Sequence, residues 1–271
     1  AFADKFDIPD FVVAKPLKKD GDSSIIDSIK TVKEANSYAE KVLKVKADYT
    51  GIDVRCANEW NRGLAAMKSK YPEVVEQIKF VGSIQKRNEL LEAELRNYAK
   101  NNRLAKDMIN DILGSLKIKN NRTAEALYGV KFGDDPAENE IIEMINKYAG
   151  ISLNSNYYRN YDNVIAERKR QVANGWKPVG CDTMKSIFDH EFGHQIDKLL
   201  NISDKQNVKD FFKWHKEEIK EGLSRYALTK REEFVAEVWS EYNNNPKPRE
   251  IANEVGKFIE RLWKEWKGKN H

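Results

Sequence analysis

The nine residues DHEFGHQID, 189–197, place two of the chain's four histidines four positions apart, with a glutamate directly after the first. On a helix, residues at that spacing lie one above the other on the same face. His190 and His194 can therefore aim their ring nitrogens at one point, and Glu191 stands beside that point without sharing it. Two imidazoles at one point suit zinc, and a neighbouring carboxylate can take a proton from a zinc-bound water. That is the mechanical content of the HExxH pattern. Four histidines in 271 residues would produce the pattern by chance about 0.005 times. A solvated surface helix is excluded by the flanks, because Ile187, Phe192, Ile196, Leu199 and Leu200 are apolar. Half-buried imidazoles need partners. The helix is expected to start behind Thr183 as its cap and to run from Met184 to about Leu200.

Catalytic zinc usually takes three protein ligands and a water. After His194 the chain reads QIDKLLNISD, which has neither the glycine nor the histidine of HExxHxxGxxH, so that arrangement is excluded. His215, in KWHKEE, reads as a surface histidine on a charged helix, and His271 is the last residue given. Downstream carboxylates are abundant, and REEFVAEVWSEY is the informative stretch. Phe234, Val235, Val238 and Trp239 make it a packed helix, with Glu233 and Glu237 on one face at spacing four. One carboxylate can bind the ion while another receives the spare N–H of a zinc-bound histidine. The pattern alone leaves Glu232, Glu233 and Glu237 open for these roles.

The rest of the chain reads as mostly helical with a few short strands. Helical spacing runs from Ser23 to about Val45, through VRCANEWNRGLAAMKSK up to Pro72, and over 85–114. Pro136 opens a helix that Asp134 or Asp135 can cap. Further helices are expected at DNVIAERKRQVANG, at KDFFKWHKEEIKEGL and from about Glu250 to Trp266. Strands are expected at LKVKADYTG, IKFVGSI and ISLNSNYY, and KIKNNRTAEA reads as a polar linker. Residues 1–46 read as an arm and helix of unknown role, apart from a domain over 47–271 with parts 47–150 and 151–271. The basic stretches ERKRQ and PKPR, at 167–171 and 246–249, read as solvated face and loop. Leu262, Trp239 and Trp263 read as core.

A net charge of +4, from 47 basic and 43 acidic residues, is no signature of a dedicated nucleic-acid binder. Neither a signal peptide nor a membrane-spanning run is expected. Secreted, virion-associated and bacterial cytoplasmic settings are all compatible with that. Cys56 and Cys181 form no CxxC pair and read as ordinary thiols.

HEFGHQID, followed downstream by SRYALTKREEFVAEVW, resembles the catalytic domain of anthrax lethal factor and its relatives. Those relatives include secreted proline-proline endopeptidases and domains of phage and mobile-element proteins. The family pattern is HExGHxxD, a Ser/Tyr segment, then a helix reading EFxAE. The resemblance is strong over about 150–245, weaker over 47–150 and absent before 47. It implies an α+β, mostly helical, zincin-like domain with a small mixed sheet and an active-site helix. By position it makes His190, His194 and Glu233 the ligands of one catalytic zinc ion, a gluzincin-type set. It makes Glu191 the general base, Tyr226 the hydroxyl that supports the oxyanion, and Glu237 the second glutamate of the later helix. It also implies that 151–158 is an edge strand along which an extended peptide substrate lies. Val235 stands where relatives often have an aromatic, which touches packing and not the ligands. The expected activity is zinc-dependent endopeptidase. The alternative is a phage or mobile-element structural or delivery protein whose protease-like domain processes itself or is inactive. A third reading is a basic nucleic-acid-binding module around a structural zinc. It fits poorly, because closed zinc sites take four ligands, often Cys, and neither cysteine lies near the histidines in sequence.

Overall fold

The computed structural model describes residues 22–102, 109–111, 114, 124–127 and 136–270. They fall into two compact units, Asp22–Tyr161 and a second from Asp162 onward. Within the first unit the helices before residue 47 pack against the strand and helix directly after it.

The first unit opens with α1, Asp22–Ser28, and α2, Val32–Tyr38, which continues as a wider π-turn, Ala39–Leu43. The single helix expected from Ser23 to Val45 is thus broken. Thr31 accepts from the Glu34 N–H, and Glu34 reaches back to the Thr31 N–H, which starts a new helix in mid-run. The chain leaves the π-turn through Lys44 in the left-handed region, at φ 61. Next come β1, Lys46–Asp48; α3, Val54–Lys70; α4, Pro72–Val75; β2, Phe80–Ser83; and α5, Ile84–Asn102. The unit ends with β3, Ala124–Leu127; α6, Pro136–Asn146; β4, Gly150–Leu153; and a single turn, α7, Ser155–Tyr158. The cap expected at Asp134 or Asp135 lies outside the described residues.

The four strands form one sheet in the order β1-β2-β4-β3, parallel except that β3 runs antiparallel to β4. Two expectations are corrected here. Residues 151–158 are not an edge strand: β4 is bonded to β2 on one side and to β3 on the other. The strand also stops at Leu153, because the Asn154 side chain accepts from the Asn156 N–H and turns the chain into α7. The second correction is β3 itself, which occupies part of the stretch read as a polar linker. β2 and β4 are buried at every position, as central strands covered on both faces are. Phe80 on β2 joins Leu91, Leu95, Ile109, Ile141, Met144 and Tyr148 in a continuous core. Beside it a buried polar chain runs from the Tyr49 hydroxyl to Asn61 Oδ1 (2.8 Å) and from Asn61 Nδ2 to the Ala35 carbonyl (2.9 Å). It satisfies groups that burial would otherwise penalise.

The second unit begins at the boundary with α8, Tyr161–Ala173, and continues with α9, Met184–Leu200. After these come α10, Gln206–Trp214; α11, Lys216–Gly222; a 3-10 turn, Tyr226–Leu228; α12, Arg231–Asn244; and α13, Glu250–Asn270. The helix expected over KDFFKWHKEEIKEGL is two, broken at His215. Thr183 caps α9 as the sequence implies, accepting from the Ser186 N–H while Ser186 bonds back to the Thr183 N–H. α9 packs most extensively against α12, which packs in turn on α13. A Cβ on Gly193 would sit 3.0 Å from Ala236 Cα and 3.1 Å from Trp239 Cβ, so the missing side chain is what lets the two helices close. Ser240 Oγ ties them again by donating to the Ser186 carbonyl at 2.8 Å. Trp239 and Trp263 are core, whereas Leu262 is only partly buried. Cys56 and Cys181 are buried thiols that form no disulfide with each other. No helix among the described residues is long and apolar enough to cross a membrane.

The basic stretches are mostly solvated, with Glu167, Lys169, Arg170, Pro246 and Lys247 exposed, but one arginine of each is engaged in the fold. Arg168 is 9% exposed, and Arg170 pairs with Glu167 at 2.6 Å. Arg249 grips the fully buried Glu241 carboxylate at 2.7 Å, donates its own backbone N–H to it at 2.9 Å, and reaches the Glu221 and Leu223 carbonyls. It thereby links α12, α13 and the end of α11. Arg249→Met should cost about 3 kcal/mol, because it strands a buried carboxylate. The melting temperature should fall by roughly 5–10 °C. Restoring neutrality with Glu241→Gln in the same chain should recover part of that loss in chemical denaturation. Equal stability of Arg249→Met and wild type would show that the pair contributes nothing net.

Candidate metal centre

Three residues converge within the second unit. His190 and His194 stand one turn apart on α9, with their rings edge to face and centroids 4.9 Å apart. Glu233 comes from the first turn of α12. Its Oε2 lies 3.2 Å from His190 Nε2 and 3.4 Å from His194 Nε2. One candidate ligand atom from each residue lies within 4.8 Å of the others. Ligands about 2.0–2.1 Å from a tetrahedral ion are about 3.3–3.4 Å from one another. The observed spacings match that separation. Glu233 Oε2 is also shut off from water with no well-aligned hydrogen-bond donor, an arrangement that is costly unless something fills the gap. Two imidazoles and a carboxylate are the donor set zinc takes in hydrolytic sites. The residues present fit the ion.

The helix packing decides among the three glutamates. Glu232 is exposed, Glu233 faces the histidine pair, and Glu237 lies one turn further along α12, fully buried behind His190. Glu237 Oε1 is 2.7 Å from His190 Nδ1. The contact is off the line of the ring N–H, but its shortness still makes Glu237 the acceptor for that nitrogen. An acceptor there fixes the tautomer and frees Nε2 to face the ion position. Glu237 is served by two more donors: Lys177 Nζ to Oε1 at 3.0 Å and the Ser224 hydroxyl to Oε2 at 2.9 Å. Ser224 Oγ in turn accepts from the Ala227 N–H at 3.1 Å.

Burial and opposing charges divide the titratable groups into distinct roles. Burial pushes the Glu191 carboxyl upward, against the pull of the His190 and His194 charges. A carboxylate of raised basicity is a better proton acceptor. Burial also acts upward on Glu233 and Glu237, but there it is outweighed. The His190 and His194 imidazoles beside it hold Glu233 far below the usual carboxylate range, and the Lys177 charge with His190 holds Glu237 at about 2. Burial and the Lys177 charge depress His190, yet the Glu233 and Glu237 carboxylates against its two ring nitrogens win and raise it to about 9. Tyr226 keeps its proton well past the ordinary phenol range, through burial first and then the charges of Glu233, Glu191 and Glu237. It is a standing hydrogen-bond donor, its ring centroid 5.9 Å from that of His190.

The remaining histidine and acid of the motif region have other work. His215 Nδ1 pairs with Glu218 at 2.6 Å and its ring stacks on Phe211, away from the trio. Asp197 accepts the Ser203 N–H at 2.7 Å and secures the end of α9. Sequence reasoning does not find Lys177, which lies in KPVG and reads as a simple break. Nothing local marks it: a lysine becomes buried only because Glu237, sixty residues on, receives it. Ser224 carries a weak signal, standing two positions before Tyr226 in the Ser/Tyr segment. No protein-family model matches the chain, and comparison with curated proteins and with solved structures finds no match.

Proposed function

We propose that the chain is a zinc-dependent endopeptidase of the lethal-factor type, with a zincin-like catalytic domain. The observation that carries the reading is the convergence of His190, His194 and Glu233, with Glu233 Oε2 3.2 and 3.4 Å from the two Nε2 atoms and Glu191 next to His190 in the chain. Three protein donors among the described residues favour a catalytic over a structural site. When bound, the ion would supply Lewis acidity toward a peptide carbonyl and toward a water. Glu191 accepts the proton of the attacking water and returns it to the leaving amine. Tyr226 donates its hydroxyl to the carbonyl oxygen as that oxygen gains charge. Glu237 keeps the His190 ring in one tautomer and one orientation. Main-chain pairing of a peptide along β4 would find no free edge, since both sides of Gly150–Leu153 are already paired.

Purified protein is expected to hold one zinc per chain by elemental analysis and to cut members of a random peptide pool. A chelator should stop the cleavage and added zinc should restore it. Fully metallated protein that cuts nothing in the pool would overturn the reading.

A further inference from the structure

Lys177 is 8% exposed, and its ammonium makes two contacts. It is 3.0 Å from Glu237 Oε1 and 3.5 Å from the centroid of the Tyr226 ring, over its face. Glu237 receives His190 Nδ1, and Tyr226 stands beside the His190 ring. One buried cation therefore touches both the carboxylate that orients a ligand and the phenol that would meet the substrate. The backbone reinforces the arrangement. The Tyr226 N–H donates to the Trp176 carbonyl at 3.2 Å and the Arg225 N–H to the Gly175 carbonyl at 3.0 Å, so 175–177 runs against 225–226. The Trp176 ring lies 5.5 Å from the Tyr226 ring. The dipeptide Trp176-Lys177 clamps Tyr226.

We propose that Lys177 is a positioning residue that seats the Tyr226 phenol and holds the Glu237 carboxylate against His190, coupling the two arms of the site. The proposal rests on the metallopeptidase reading and adds a residue to it. The physical reason lies in Glu237. A carboxylate with no exposed surface needs a cation in contact. His190 cannot serve once its Nε2 is given to a metal, since a metal-bound imidazole is neutral. Lys177 can. The same ammonium over the ring face contributes a cation–π attraction, stronger where it is desolvated.

The test separates the two arms with Lys177→Met and with Lys177→Met/Glu237→Gln. Losing a nearby positive charge would by itself favour a bound cation. If Lys177 instead holds Glu237 in place, Lys177→Met should bind zinc about 10–100-fold more weakly in competition with a chromophoric chelator. The double variant removes both charges and leaves an amide oxygen for His190 Nδ1. Its zinc affinity should return to within a few-fold of wild type. Its kcat should stay at least about tenfold low at an unchanged KM, because the Tyr226 ring has lost its seat. Should Lys177→Met bind zinc as tightly as wild type, the Glu237 arm is wrong. Should the double variant recover kcat together with affinity, the Tyr226 arm is wrong. If Lys177→Met does not fold, Lys177→Gln takes its place in the affinity measurement, and the double variant decides the Tyr226 arm against wild type. Wild type that binds zinc yet cleaves nothing sinks the peptidase reading alone, and the affinity measurements still judge Lys177.

Discussion

Glu191→Gln is expected to lower peptide turnover by about 10²–10⁴-fold, the usual loss when a general base is removed, while the zinc content stays at the wild-type level. The two halves of the result have separate causes. Glutamine has nearly the shape of glutamate but cannot accept the proton of an attacking water. The ion is expected to stay because the candidate donor atoms belong to His190, His194 and Glu233. Single-turnover cleavage of a peptide found in the pool, together with elemental analysis of the same preparation, reads both halves. Wild-type turnover by the variant would remove Glu191 from the chemistry. Loss of zinc together with activity would make it a ligand and not a base.

Gly193→Val is expected to disable the centre without touching a ligand. A Cβ at 193 already meets Ala236 Cα at 3.0 Å and Trp239 Cβ at 3.1 Å, and valine adds two methyl groups in the same direction. Backbone cannot yield as a flexible side chain can, so α9 and α12 must part. Overpacking of this kind costs about 1–3 kcal/mol. The larger effect is geometric, because Glu233 rides on α12 and the histidines on α9. Moving one donor by an ångström spoils spacings of 3.2 and 3.4 Å, and misplacement of that size costs about 10²-fold in rate. Zinc affinity should fall with it, and Gly193→Ala should lie between the two. A valine variant that binds zinc like wild type would show that the close approach is not what sets the distances.

Much of the second unit was legible in the sequence, and the reasons are local. Thr183 and the apolar spacing of IFDHEFGHQIDKLL mark α9, and the packed face of REEFVAEVW marks α12. The histidine pair comes from helical geometry alone. Glu233 and Glu237 could not be told apart by spacing, because both lie on one face. Their roles differ only through where α9 crosses α12, which Gly193 and Ser240 set. Lys177 was invisible for the same reason. The first unit was read less well. Strands of three or four residues buried on both faces carry no alternation, and AEAL, the whole of β3, has no β-branched or aromatic residue. Without β3, nothing in the sequence could reveal that β4 is interior. The break before α2 had a sequence mark in Thr31 and Glu34, hidden inside an otherwise regular helical run.

The narrow triangle of two nitrogens and one oxygen has a consequence for ion selectivity. Calcium and magnesium favour six or more oxygen ligands, and magnesium gives up its water shell reluctantly. A cage offering a single carboxylate at its corner, with its edges set by packed helix backbone, gives such hard cations little to bind. On the proposed reading, a borderline-soft, four-coordinate ion would suit this donor set better. Discrimination among metals would then follow from how closely two helices are allowed to touch.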